Sequence, residues 1–149
     1  MYWLLSISLL IGLLATVEDV WRRQISNKTS GGALALGLIA QTALYGLKGA
    51  GHSLAGTLVG FLVFLIFFLL GGMGGGDIKL MAGFGAVLGA AQILWAAFLT
   101  AIVGALFAMV WLLVRKLRNQ PPKKDVAEPD AIPYAPAITL GVLLSFAAR

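Results

Sequence analysis

Across residues 78–114 the chain carries one charged side chain, Lys79. A soluble fold of 149 residues has no interior large enough to hide such a run. As one straight helix the run would be about 55 Å long at 1.5 Å per residue. The hydrocarbon core of a bilayer is about 30 Å thick, so the run is expected to cross it twice, turning near Gly89-Ala90-Ala91-Gln92. Four further apolar stretches, 1–17, 31–47, 53–70 and 131–148, have the length of single crossings. The composition agrees: 60% of residues are hydrophobic and 11% charged, against about 25% charged in a soluble domain. The expected fold class is an all-α membrane protein, one membrane-embedded domain over residues 1–149. The longest polar stretch, about 115–130, is expected to be a mobile cytoplasmic loop and is assigned no chemistry.

Orientation follows from the basic residues, which favour cytoplasmic loops. Placing Arg22, Arg23 and Lys28 inside sends the first span from outside to inside and leaves Lys48 and His52 outside. The third span then returns to the Gly-rich segment and Lys79. Arg115, Lys116, Arg118, Lys123 and Lys124 also require the cytoplasmic side, so both ends of the 78–114 run lie there. Of the 11 Lys and Arg residues, only Lys48 and Arg149 remain outside. The expectation is a bundle of six transmembrane helices with both termini on the non-cytoplasmic side. The stretch 1–17 has the length of a signal peptide but no basic start and no Ala-x-Ala site, so it reads as a retained helix.

Several kinds of chemistry lack material. The chain has no cysteine and one histidine, His52, which removes thiolate nucleophiles, disulfides and most metal or Ser/His sites. No metal and no cofactor are expected. The net charge of +5 reads as topology rather than as a nucleic-acid surface.

Two carboxylates remain, each at the end of an apolar run. Asp19 closes the first span in Glu18-Asp19-Val20-Trp21-Arg22-Arg23-Gln24-Ile25-Ser26-Asn27, and Asp77 opens the fourth in Gly74-Gly75-Gly76-Asp77-Ile78-Lys79. The topology puts both at the cytoplasmic surface. A pair of carboxylates that shares one proton can hydrolyse a peptide bond, because like charges in close contact do not both ionise. Gly74, Gly75 and Gly76 present no side chains to a substrate backbone and accept unusual conformations. Ile78 restarts a helix, whose positive end favours an ionised Asp77. Each aspartate alone also has a plain structural reading: Asp19 could pair with Arg23, and Glu18 with Arg22, at i,i+4 spacing. Glycines in membrane helices often serve close packing, the reading given to Gly31, Gly32, Gly37, Gly56 and Gly60.

These stretches resemble the type IV prepilin peptidases, membrane aspartic proteases of the G-x-G-D type. Asp19 to Asn27 is similar to the family's D-x5-I-P-N block, Gly74 to Lys79 to its G-x-G-D-x-K block, and Ile132-Pro133-Tyr134-Ala135-Pro136 to the proline-containing motif that opens its last helix. Ser26 stands where the family has proline, and Asn27 is expected to cap the second helix. The resemblance implies that Asp19 and Asp77 are the catalytic pair of a leader peptidase. It would cut the basic leader of a type IV prepilin or pseudopilin after a glycine, at the cytoplasmic face of a bacterial inner membrane, for pilus assembly or protein secretion. Gly74, Gly76, Lys79, Asn27, Pro133 and Tyr134 are the candidate substrate-binding or site-shaping residues; Pro133, Tyr134 and Pro136 are read as shaping the entry of the last span, with interfacial anchoring the favoured role and substrate contact the lesser one. The large bifunctional members carry paired Cys-x-x-Cys motifs associated with methylation. This cysteine-free chain looks like the short peptidase-only branch of the tight-adherence (Flp) systems, and no methyltransferase activity is expected.

Lys79 either steadies the site or anchors the topology. Two residues from Asp77, about 200° around a helix, it is not placed to touch that carboxylate. Glu18 is expected to pair with Arg22. His52 reads as a solvated loop residue, and Trp3, Trp21, Trp95 and Trp111 as interfacial anchors. The alternative function is a small ion-coupled transporter or channel in which Asp19 and Asp77 hold ions or protons, although such sites usually lie near the midplane. The expected partners are the substrate and the lipid bilayer, with no nucleic acid.

Overall fold

The structure is a computed structural model that describes residues 2–70, 73–118 and 134–148. Among these residues every regular element is a helix: α1 (Tyr2–Arg22), α2 (Asn27–Leu69), α3 (Gly75–Leu88), α4 (Ala90–Leu117) and α5 (Ala135–Ala147). Three of them, α1, α2 and α4, are long and apolar enough to cross a membrane. Their outward faces are apolar too, with Leu13, Leu14, Ile66, Leu106 and Leu113 each more than half exposed. Such a surface suits hydrocarbon rather than water, and the chain is an all-helical membrane protein.

A straight α2 of 43 residues would be about 65 Å long, twice the thickness of the hydrocarbon core. It breaks at Gly46, whose φ of 62° and ψ of −146° are non-helical. The chain reverses there: a Cβ on Gly49 would strike the backbone of Gln41, although eight residues of continuous helix would separate the two by about 12 Å. Both halves then flank α3. In the first half Gly37 lies against Ala86 and Val87, and Gln41 Nε2 donates to the Val87 carbonyl at 2.6 Å. In the second, Gly56 faces Gly85 and Gly89, and Gly60 faces Met81. The contacts run up α3 with the first half and down it with the second, so α2 is a helical hairpin clasping α3.

This corrects the expected connection. Residues 48–52 are helical, not a loop, and His52 is a helical residue whose ring packs on Gly89. A positive-φ glycine turns the chain within one residue, so no loop is needed. Nothing lies within 4 Å of a Cβ built on Gly46. Gly46→Ala therefore meets no clash and should cost only backbone strain, about 2 kcal/mol, measurable as a lower thermal unfolding midpoint in detergent.

The turn expected at 89–92 is confined to Gly89, at φ 80°, and α4 begins at once. The two shortest helices are α3, with 14 residues, and α5, with 13, about 21 Å and 20 Å long. Each is shorter than the span expected for its segment. From Ile78 onward α3 is almost wholly buried, with Leu80, Met81, Phe84 and Val87 at its centre. It is therefore sheathed by the other helices and need not match the bilayer itself. Of the glycines read as packing positions, Gly37, Gly56 and Gly60 do pack, whereas Gly31 and Gly32 have open space where a Cβ would be.

The first and last described helices are joined by polar contacts inside the bundle. Thr139 Oγ1 donates to the Gly12 carbonyl at 3.1 Å and lies 3.2 Å from Thr16 Oγ1. A Cβ on Gly12 would collide with the Thr139 side chain, so glycine at this position brings α1 and α5 together.

Candidate active site

Where α1 ends, Arg23 adopts φ 51° and its N–H donates to the Asp19 carbonyl at 2.8 Å. Four residues, Arg23 to Ser26, separate α1 from α2. Ser26, not Asn27, is the N-cap of α2: it is extended (φ −68°, ψ 147°) and its Oγ accepts from the Thr29 N–H at 3.2 Å. Serine caps as well as asparagine does, so Ser26 has its own means of starting the helix.

Glu18 does not depend on Arg22 for a partner. Its carboxylate accepts from the Ser26 N–H at 2.9 Å and from Ser26 Oγ at 3.0 Å, two donors held by the backbone turn. A flexible exposed arginine gains little beside them. Glu18 thus straps the α1–α2 connection to the end of α1. Asn27 occupies the first helical position, where its Oδ1 accepts from Lys79 Nζ at 2.8 Å. This bond ties α2 to α3, and Lys79 turns to Asn27 rather than to Asp77.

Both aspartates are buried, each 7% exposed. Asp19 Oδ2 accepts from the Ala135 N–H at 2.9 Å, one of the donors that the first turn of α5 leaves without a helical partner. Asp77 is the third residue of α3 and folds back on its cap, Gly74. Its Oδ2 accepts from the Gly74 N–H at 3.1 Å, and its own N–H donates to the Gly74 carbonyl at 3.1 Å. The two carboxylates line the same cavity of about 490 Å³, whose wall also includes Ile25, Asn27, Gly74, Gly76 and Lys79.

The glycines divide the work. A Cβ on Gly74 would meet only Asp77 Oδ2, at 3.5 Å, so Gly74 keeps the cavity open. A Cβ on Gly76 would press on Ile25 at 3.2 Å, so glycine at this position lets the α1–α2 connection lie close to α3. Asp77 precedes the apolar run that begins at Ile78.

Tyr134 does not reach this cavity. Its side chain lines a separate apolar cavity of about 240 Å³ with Phe64, Met73 and Gly104. Pro133 and residues 119–130 lie outside the described residues. What the last motif supplies to Asp19 is the Ala135 backbone N–H, a donor that side-chain reading does not find. Its one signal is position, at a helix start directly after the Ile132-Pro133-Tyr134 motif.

A family model described as the type IV leader peptidase family matches residues 4–109, a stretch that includes both aspartates. The prepilin leader peptidase/N-methyltransferase of Bacillus subtilis (strain 168) is 36% identical over 95 residues, which cover 62% of this chain and 35% of that protein. The chain therefore spans about a third of the curated relative it matches. No solved structure matches significantly.

Proposed function

Because the chain belongs to the type IV leader peptidase family, we propose that it is a membrane aspartic endopeptidase that removes the basic leader of a type IV prepilin or pseudopilin. The observation that carries this reading is the meeting of Asp19 and Asp77, from two different helices, in one cavity. The cut falls after the glycine that ends the leader, at the cytoplasmic face of a bacterial inner membrane. The apolar helix of the substrate remains in the bilayer. Six crossings are assigned, with the two halves of α2 counted separately, and both termini on the far side. Membership of a peptidase family does not favour the ion-transport alternative.

The pair works with one shared proton. Asp19, ionised, takes a proton from a water molecule as the water oxygen attacks the scissile carbonyl carbon. Asp77, neutral, gives its proton to the carbonyl oxygen. Collapse of the tetrahedral diol breaks the C–N bond. Asp19 passes its proton to the departing amine, and the diol returns one to Asp77. The Ala135 and Gly74 N–H groups hold the two carboxylates in place throughout. Methyl transfer is not part of the proposal: the resemblance ties it to Cys-x-x-Cys pairs, and these 149 residues hold no cysteine.

The proton on Asp77 sets the expected pH dependence. Once it is lost the pair has no donor, so cleavage by the purified protein should fall about tenfold per pH unit on the alkaline side of the profile. A rate that stays flat from pH 6 to pH 9 would remove Asp77 as the proton donor. The function itself is tested by co-expressing the chain with a candidate prepilin and determining the N-terminus of the product by mass spectrometry. A new N-terminus directly after the leader glycine is expected; precursor that stays intact with every pilin tried would overturn the reading.

A further inference from the structure

A second hollow adjoins the carboxylate cavity. It is a groove of about 540 Å³ between the two halves of α2 and α3, walled by Leu34, Leu54, Leu58 and Phe61. Asn27 and Lys79 belong to both walls, so their 2.8 Å bond marks the junction of the two spaces. Polarity changes across that junction, with two carboxylates on one side and aliphatic and aromatic side chains on the other. Ser30 also lines the groove; it is 5% exposed, and its hydroxyl has no hydrogen-bond partner among the described residues. The apolar cavity beside Tyr134 shares no wall residue with the carboxylate cavity.

We propose that this groove is the subsite for the apolar helix of the substrate on the carboxyl side of the scissile bond, with the Asn27–Lys79 pair as its polar mouth. The inference rests on the leader-peptidase reading and adds to it where the uncleaved helix lies. A substrate that is polar before the cut and apolar after it matches the polarity of the joined spaces in the same order. At the mouth, Lys79 and Asn27 can exchange their mutual bond for backbone groups of the passing chain. An acyl chain could fill the apolar part alone but has no use for the mouth.

Gly31 makes the test clean. It lines the groove, yet a Cβ there would touch nothing within 4 Å; Gly32 is equally open but lies outside the groove. Gly31→Leu should fill the groove without disturbing the fold. Cleavage is measured on the full precursor and on a short soluble peptide that ends a few residues after the scissile bond, with protein levels checked. For Gly31→Leu, the loss of kcat/KM on the precursor should exceed that on the peptide by at least about tenfold. Gly32→Leu should show no such difference. Since the chain has no cysteine, a bismaleimide should also link Leu58→Cys, but not Leu44→Cys on the outer face, to a cysteine in the apolar segment of the substrate. Equal losses on both substrates, no loss on the precursor, or no crosslink from position 58 would each overturn the subsite and leave a groove that holds lipid only. Failure of the unsubstituted chain to cut either substrate would overturn the leader-peptidase reading as well.

Discussion

On the proposed two-carboxylate mechanism, leader removal is expected to fall by about a thousandfold or more when either Asp19 or Asp77 is replaced by asparagine, the scale for loss of an acid or base acting on the reacting atoms. The amides are close in size and keep an acceptor oxygen. Asn at 19 can still receive the Ala135 N–H and Asn at 77 the Gly74 N–H, so the two helix starts stay satisfied. The loss is therefore chemical, and the variants should accumulate in the membrane to the level of the parent. The double variant should be about as inactive as either single one, because the two groups act as a unit. Either single variant retaining more than about a tenth of the parent rate would be incompatible with a two-carboxylate mechanism.

The second large effect concerns the clasp around α3. Gly56 and Gly85 face one another backbone to backbone, and a Cβ on Gly56 would overlap the Gly85 carbonyl and the Gly89 main chain. Main-chain atoms cannot rotate out of the way as a side-chain end can. Gly56→Leu should therefore cost about 3 kcal/mol or more, the upper end of overpacking penalties. The readouts are a much lower unfolding midpoint in detergent and depletion from membranes. Gly51→Leu is the control: it lies on the same half of α2, and nothing is within 4 Å of its Cβ. Unchanged stability for Gly56→Leu would mean that the two halves of α2 do not grip α3 as described.

How much could be read beforehand depended on what each feature is made of. Helix content was legible because apolar runs interrupted by basic residues leave few alternatives in a bilayer. The division of residues 78–114 between two helices followed from length and charge, and Gly89 fell within the expected turn. The reversal in α2 did not follow. Gly46, Gly49 and Gly51 stand in close succession, and any could turn a chain; the positive φ of Gly46 and the approach of Gly49 to Gln41 distinguish them. Likewise Ser26 and Asn27 are both good caps, and the choice is made by Glu18, which holds Ser26, and Lys79, which engages Asn27. Asp19 and Asp77 stood out because charge is rare in this chain. The Ala135 N–H is a backbone group, and Tyr134 was marked by its motif although its ring turns away.

The hydrogen bond from Ala135 to Asp19 joins the earliest described helix to the latest. During synthesis the helices emerge from α1 onward, and both carboxylates are present once α3 has been made. The donor that fixes Asp19 arrives only with α5. A nascent chain halted after α4 would hold both acids with Asp19 lacking its Ala135 donor, so on the proposed mechanism a truncation before α5 is expected to be inactive.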